Sequence, residues 1–385
     1  MSETEDARHG LLGVIGMRGC EELVGQIDAY LQWRPAGQMS FLDESYAQRN
    51  KSYIVECKCP RFSTGEAKGL ILESVRGYDL YILADVFNYG VTYQMYGQTV
   101  PMSPDDHYQD LKRIISALGG KARRITVIMP MLYEGRQHRR FSRESLDCAL
   151  ALQELANMGV CNLITFDAHD SRVQNAVPMS GFENVRPTYQ MIKALLREYP
   201  DIQISPEHLM VVSPDEGAMA RSIYYSSVLG IELGMFYKRR DYAHMVNGRN
   251  PIVAHEFLGD NVSGKDVIVV DDMISSGDSM LGIAEDLKKL GAARIFIFST
   301  FGLFCNGLSG FDEAYEKGHI ERVFTTNLIY RQPALLERPW YTEVDMTKFL
   351  AYIIDTLNRD RSISELMDPV ARIRNLLARH RANNT

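Results

Sequence analysis

The sequence has 385 residues, 45% of them hydrophobic and 24% charged, which suits a globular protein with room for two full domain cores. A net charge of −7 gives no support for nucleic-acid binding, and no apolar run approaches the roughly 20 residues that span a bilayer. The N-terminus is too acidic and polar for a signal peptide, and the six cysteines are scattered. We therefore expect a cytoplasmic protein with reduced thiols and with neither nucleic acid nor membrane as a partner.

Short apolar runs alternate with helical periodicities along the first half of the chain. The predicted strands are 11–16, 53–59, 79–83, 124–130 and 161–166, and the predicted helices are 20–31, 106–118 and 144–158. Residues 35–52 and 88–106 hold polar and turn residues without an apolar period, so we interpret them as insertions.

The same alternation continues in the second half. The predicted strands are 209–212, 231–237, 267–270, 293–300 and 322–327, and the predicted helices are 187–197, 218–229, 280–290 and 345–357. A polar, glycine-containing segment, 241–250, is predicted to be a mobile loop that could close over a substrate. Strands that alternate with helices predict an α/β fold with a parallel sheet, followed by a basic tail at 369–385.

The stretch 266–291 contains the clearest candidate binding site. A buried strand is followed by two carboxylates and a small, polar loop that opens a helix, and these candidate ligand-binding residues are Asp271, Asp272, Ser275, Ser276, Gly277, Asp278 and Ser279. Converging backbone N–H groups and a helix N-terminus suit a phosphate, whereas the carboxylates can accept hydrogen bonds from hydroxyl groups. This pattern favours a sugar phosphate as ligand, and the alternative is an ordinary strand-to-helix turn with exposed acids.

Further polar groups follow other predicted strands, where a shared site would be assembled. Arg136 and Gln137, in a basic loop, offer multidentate donors for nucleotide phosphates. His169, flanked by acids, and Asp215 are candidate Mg²⁺ ligands, because Mg²⁺ needs few protein groups. Lys238 and Arg240 could stabilise charge on a transferred phosphoryl group. Each cluster alone could also be a solvated loop.

Taken together, these motifs resemble the ribose-phosphate diphosphokinase (phosphoribosyl-diphosphate synthetase) family over roughly residues 10–368. The resemblance implies two tandem type I phosphoribosyltransferase-like domains, each with a mostly parallel sheet flanked by helices. The implied N-terminal domain is 1–186, completed by 345–368, and the C-terminal domain is 187–344. Segments 74–88 and 262–275 look like faint copies of each other, as a duplicated domain would give.

The resemblance also implies roles for particular residues. Phe62, Thr64 and Glu66 match residues that line the adenine and ribose of ATP, and the pair Arg136 and Gln137 matches residues that bind its phosphates. By the same matching, His169 and Asp215 are implied to hold Mg²⁺, Lys238 and Arg240 are implied to be catalytic, and 271–279 is implied to bind ribose 5-phosphate. The chain departs from the family pattern at Thr64, which replaces Asn, at Ser275, which replaces Asp, and at Asp278, which replaces Gly.

The implied reaction transfers the diphosphoryl group of ATP to the C1 hydroxyl of ribose 5-phosphate, giving phosphoribosyl diphosphate and AMP. Alternatives are a phosphoribosyltransferase that consumes phosphoribosyl diphosphate, and a catalytically silent regulatory homologue. The resemblance further implies a homo-oligomer, a dimer or a hexamer, that binds a regulatory phosphate or ADP between subunits. The matching anion-binding residues are Ser74, Arg76, Arg143, Ser362 and Ser364.

Overall fold

The computed structural model describes residues 10–32, 52–240 and 252–383. The chain divides into two compact units, each assembled from separate stretches of sequence. The first unit comprises Met1–Arg186, Asn327–Tyr330 and Asp345–Asp368, and the second comprises Pro187–Thr326, Arg331–Val344 and Pro369–Thr385. Each unit combines helices with a mostly parallel sheet, which confirms the predicted α/β class. Within the described ranges, no helix is long and apolar enough to cross a bilayer.

The strands form where apolar and β-branched residues cluster. In chain order the described strands are β1 Leu11–Gly16, β2 Cys57–Lys58, β3 Leu70–Ile71, β4 Tyr78–Leu83, β5 Thr92–Met95, β6 Gln98–Pro101, β7 Arg124–Ile128, β8 Asn162–Phe166, β9 Gly181–Val185, β10 Leu209–Ser213, β11 Glu232–Arg240, β12 Ile252–Leu258, β13 Asp266–Ile274, β14 Ile295–Gly302, β15 Arg322–Thr326 and β16 Tyr341–Val344.

The helices have apolar faces that pack on these strands. The described α-helices are α1 Glu21–Gln32, α2 Pro104–Leu118, α3 Asp147–Asn157, α4 Thr188–Glu198, α5 Met219–Leu229, α6 Asp278–Lys289, α7 Ser309–Glu316, α8 Pro333–Leu336, α9 Thr347–Asn358, α10 Ser364–Met367 and α11 Val370–Asn383. Local sequence sets their ends, as α2 shows: Ser103 and Asp106 form a capping box at its start, and Gly119 ends it in the left-handed conformation.

The main sheet of the first unit contains β1, β4, β7, β8 and β9 in that order, all parallel. Because the strands are parallel, the loops that follow β7 and β8 leave the sheet at the same edge. The predicted ATP-phosphate residues, Arg136 and Gln137, and one of the two predicted metal ligands, His169, lie in those two loops.

A buried carboxylate ties the returning C-terminal segment to this sheet. Asp79 is fully buried and accepts two hydrogen bonds from Arg124, at 2.8 and 2.7 Å. Asn358, at the end of α9, also donates to Asp79 at 3.0 Å, and Arg124 donates to the Leu357 carbonyl at 2.8 Å. Residues nearly 300 positions apart in sequence therefore satisfy one buried charge, as burial of a carboxylate requires.

The main sheet of the second unit has the order β12-β11-β10-β13-β14-β15-β16. Its neighbours are parallel except β11 and β12, which pair antiparallel. The chain leaves β10 toward β11 on one side, and β13 is inserted on the other side, so the strand order reverses between β10 and β13. Open α/β sheets bind ligands in the crevice at such a switch point.

The structure differs from the predictions in several segments. The 53–59 stretch forms only a short strand, β2, because its remaining residues make isolated contacts instead of a ladder. The 88–106 insertion contains the β5–β6 hairpin and the start of α2, whereas most of the 35–52 insertion lies outside the described residues. Within the predicted basic tail, 369–385, residues Val370–Asn383 form helix α11, and the segment groups with the second unit.

Candidate active site

The crevice at the switch point of the second unit holds a cavity of about 140 Å³. Residues from the loop after β10 and from the end of β13 share it: Pro214, Asp215, Asp271, Met273, Ile274, Ser275, Ser276, Gly277, Ser279 and Met280. The fold thus brings the candidate metal ligand Asp215 to the loop predicted to bind a sugar phosphate. We call residues 271–279 the sugar-phosphate loop.

The acidic pair at the end of β13, Asp271 and Asp272, lies near an arginine, Arg221, for which the sequence analysis predicts no role. Oδ1 of Asp271 accepts the backbone N–H of Asp272 at 2.9 Å, and Nη1 of Arg221, in α5, lies 3.6 Å from the same oxygen. Burial and the adjacent Asp272 carboxylate raise the pKa of Asp271 well above its ordinary value, and Arg221 opposes that rise. Arg221 therefore favours the ionised form of Asp271, in which both carboxylate oxygens can accept hydrogen bonds.

The shape of the sugar-phosphate loop depends on Gly277. Its φ is +93°, a left-handed conformation that side chains rarely adopt, and a Cβ there would lie 2.3 Å from the Phe311 ring. That ring belongs to a buried aromatic cluster with Phe304 and Trp340. The loop is also held by the backbone N–H of Cys305, which donates to the Ser275 carbonyl at 2.8 Å. The loop that opens α6 therefore rests on a rigid apolar support.

Asp278, one of the three departures from the family pattern, lies at the first position of α6 and is absent from the cavity lining. Nδ2 of Asn306 lies 3.5 Å from its Oδ2 atom. We expect Asp278→Gly to change the KM for ribose 5-phosphate no more than about twofold, as a surface substitution would. Steady-state kinetics check this expectation. A large fall in KM would show instead that the carboxylate repels the bound phosphate.

Lys238 and Arg240 lie within β11, which continues three residues beyond its predicted end. The extension is caused by pairing with β12, which places Lys238 opposite His255 and Arg240 opposite Ile252. The register shifts between Arg239 and Arg240, a local irregularity of the ladder. The predicted mobile loop, 241–250, lies outside the described residues.

In the first unit, the loop after β7 meets the turn after β8. We call residues 131–146 the β7 loop and residues 167–170 the β8 turn. Arg136 and Gln137 are exposed in the β7 loop, and His169 is exposed in the β8 turn. His138 directly follows Gln137, and its ring centroid is 5.5 Å from that of His169. The segment that carries the candidate ATP-phosphate residues therefore contacts the turn that carries the candidate metal ligand of this unit.

The residues predicted to bind adenine lie in an exposed loop against the β5–β6 hairpin. Phe62 is 56% exposed, and Thr64 Oγ1 donates to Glu66 at 3.0 Å. The hairpin contacts this loop directly, because the backbone N–H of Tyr96 donates to the Ser63 carbonyl at 2.9 Å. A cleft of about 980 Å³ is lined by the preceding residue, Arg61, together with Thr92 and Tyr93 of the hairpin. The insertion thus supports the predicted nucleotide loop.

The five residues predicted to bind a regulatory anion are all exposed in the first unit. Ser362 and Ser364 share a hydrogen bond of 2.8 Å, so these two hydroxyls lie together. Arg143 lies in the β7 loop, and Ser74 and Arg76 precede β4.

A parallel sheet with an acidic pair and a small-residue loop at its switch point defines a type I phosphoribosyltransferase-like domain, and the second unit has all of these features. The first unit is also an α/β unit with a parallel sheet, but its described strands follow one another in sequence order without such a switch point. The family model for the N-terminal domain of ribose phosphate pyrophosphokinase matches residues 13–159, and that for the phosphoribosyl synthetase-associated domain matches residues 242–368. The chain belongs to the ribose-phosphate pyrophosphokinase family of enzymes.

Individual relatives agree with this assignment. The chain is 28% identical to a ribose-phosphate pyrophosphokinase of Vibrio cholerae, over 85% of this chain and 96% of the relative. It is 29% identical to that of Shewanella oneidensis, over 80% and 89% of the two chains. The crystal structure of phosphoribosylpyrophosphate synthetase from Mycobacterium smegmatis has the same fold, with a TM-score of 0.71 at 21% identity, and covers 91% of this chain and 99% of that one.

Proposed function

We propose that the protein transfers the β,γ-diphosphoryl group of ATP to the C1 hydroxyl of ribose 5-phosphate, giving phosphoribosyl diphosphate and AMP. The C1 oxygen forms a bond to the β-phosphorus, the bond from that phosphorus to the α,β-bridging oxygen breaks, and the hydroxyl proton is lost. The single observation that carries the proposal is the cavity shared by Asp215, Asp271 and the sugar-phosphate loop. It combines hydroxyl acceptors with a phosphate nest at the switch point of the sheet.

The proposed roles follow from the chemistry of each group. Backbone N–H groups at 275–279 would bind the 5-phosphate, and the carboxylates of Asp271 and Asp272 would accept the ribose hydroxyls. Arg136 and Gln137 would bind the ATP phosphates. Phe62, Thr64 and Glu66 would contact the adenosine. Lys238 and Arg240 would stabilise the charge that is redistributed over the phosphoryl oxygens. In this proposal the catalytic domains are 1–186, completed by 345–368, and 187–344.

The donor set suits Mg²⁺. The described residues contain no cluster of three or more His, Cys, Asp or Glu that could hold a metal by themselves. Mg²⁺ bound to a polyphosphate needs only one or two protein groups, and Asp215 and His169 are the groups we propose. Bound there, Mg²⁺ would neutralise charge on the phosphates of ATP. Asp215 Oδ1 accepts the backbone N–H groups of Gly217 and Ala218, at 2.9 and 3.2 Å, which fixes its orientation.

The experiment that tests this function is incubation of the purified protein with ATP, Mg²⁺ and ribose 5-phosphate. AMP that forms only when the sugar phosphate is present supports the proposal. No AMP under these conditions supports a silent homologue. Consumption of phosphoribosyl diphosphate with a purine or pyrimidine base supports a phosphoribosyltransferase.

We further propose that the protein is a homo-oligomer activated by inorganic phosphate at Ser74, Arg76, Arg143, Ser362 and Ser364, which offer hydroxyl and guanidinium donors. We expect activity to rise with phosphate concentration and the response to weaken in Ser362→Ala. Initial rates at fixed ionic strength test this expectation. A rate that stays constant from no phosphate to saturating phosphate would contradict it.

A further inference from the structure

A chain of three side chains joins the β7 loop to the β8 turn. Nε2 of His138, in the β7 loop, lies 3.4 Å from Oδ2 of Asp170, the last residue of the β8 turn. Arg172, in the 3-10 helix that follows, binds the same carboxylate from the other side. We call His138, Asp170 and Arg172 the loop bridge.

Asp170 is held in one orientation. Nε of Arg172 donates to its two oxygens at 2.9 and 3.1 Å, and Nη2 of Arg172 contacts it as well. The backbone N–H of Arg172 donates to Oδ1 at 2.9 Å, so the carboxylate also caps the 3-10 helix Ser171–Ala176. A carboxylate fixed by several donors is a defined anchor for a fourth group.

The β8 turn is itself fixed to the sheet. The backbone N–H of Asp167 donates to the Val185 carbonyl at 2.8 Å, and that of Ala168 donates to Oδ1 of Asn184 at 2.9 Å. Both partners lie on β9, the strand next to β8. The β8 turn therefore has a fixed position relative to the sheet.

The β7 loop contacts the β8 turn through the His138 side chain. Arg136, Gln137 and Arg139 are exposed, whereas only 12% of the His138 side chain is exposed. His138 directly follows the two residues proposed to bind the ATP phosphates, so anchoring its ring restrains the backbone that carries them. Small displacements of positioned groups carry large kinetic costs.

We propose that His138 and Asp170 are positioning residues that hold Arg136 and Gln137 at the distance from His169 that a bound triphosphate requires. Arg172 sets the orientation of Asp170. This inference rests on the proposed function, because it assigns the ATP phosphates to the β7 loop. It adds residues to which neither the sequence motifs nor the family resemblance gave a role.

The test combines direct binding with a double-mutant cycle. We expect His138→Leu and Asp170→Asn each to weaken binding of Mg²⁺–ATP, measured by calorimetry without ribose 5-phosphate, by about tenfold, the order of magnitude of one lost contact with a charged group. His138→Gln keeps an N–H donor and should restore most of the affinity. The double variant should bind no more weakly than the weaker single variant, because both changes break the same contact. The KM for ribose 5-phosphate should remain within about twofold in all four variants.

A matched control is His380→Leu, which removes another histidine whose Nε2 contacts a backbone carbonyl, that of Ile202, at 2.8 Å. It should leave ATP affinity unchanged. Wild-type affinity in His138→Leu, or strictly additive losses in the double variant, would overturn the loop bridge while leaving the proposed function intact. Wild-type protein that fails to bind Mg²⁺–ATP would overturn both.

Discussion

Replacing Lys238 or Arg240 by alanine is expected to lower kcat for AMP formation about a hundred- to a thousandfold, with a much smaller change in either KM. The reason is that charge on the transferring phosphorus oxygens is redistributed mainly in the transition state, so cations there stabilise that state more than the bound substrates. A lost contact of this kind raises the activation free energy by about 2.7–4 kcal/mol. Steady-state kinetics with each substrate varied in turn measure the split between kcat and KM.

Arg239→Ala provides the matched control, because it removes the same charge from the residue between the two proposed catalytic cations. It should retain a kcat close to that of the wild type. If Lys238→Ala and Arg240→Ala also keep a wild-type kcat, the basic group on β11 is only a solvated strand end and has no part in the reaction.

Arg221→Met is expected to raise the KM for ribose 5-phosphate about ten- to a hundredfold at neutral pH, the size of a lost charged hydrogen bond. The arginine opposes the effects of burial and of Asp272, both of which raise the pKa of Asp271. Without Arg221 that pKa rises further, so a larger fraction of Asp271 is protonated and cannot accept from two sugar hydroxyls. The increase in KM relative to the wild type should therefore become larger as the pH falls and smaller as the pH rises.

The pH dependence separates this role from a general loss of stability. Arg294 also pairs with a carboxylate of β13, that of Asp266 at the other end of the strand, through two hydrogen bonds of 3.1 and 2.7 Å. Arg294→Met should reduce stability without a pH-dependent change in the KM for ribose 5-phosphate. If Arg221→Met shows the same KM at every pH, or if Arg294→Met reproduces its pH profile, Arg221 does not control the acidic pair.

The sequence predicts the candidate site best where the information is local. The strand, loop and helix of 266–291 follow one another directly, and the structure places β13, the sugar-phosphate loop and α6 there. Apolar periodicity, a glycine requiring a left-handed φ and a helix N-terminus are all properties of neighbouring residues. Such features predict a candidate binding loop without knowledge of the rest of the fold.

What the sequence did not predict depends on contacts between distant segments. The apolar pattern of β11 ends at residue 237, before the strand itself does, because pairing with β12 extends the strand to Arg240. Strands β9 and β16 are short edge strands with little apolar pattern. Arg221 acquires its role only when α5 packs beside β13, fifty positions later in the chain. His138 lies among polar and basic residues, and nothing in that local sequence distinguishes it from its neighbours. Its contact with Asp170 forms only when the chain has folded.

The central claim is the transfer of an intact diphosphoryl group, and the fate of the β- and γ-phosphorus of ATP tests it most directly. The protein is incubated with Mg²⁺, ribose 5-phosphate and ATP, and phosphorus NMR follows both nuclei through the reaction. Our account predicts that the two nuclei remain coupled to each other and appear together on the sugar, in amounts equal to the AMP formed. Transfer of the γ-phosphorus alone with formation of ADP, or release of free diphosphate with AMP while the sugar stays unmodified, would contradict it.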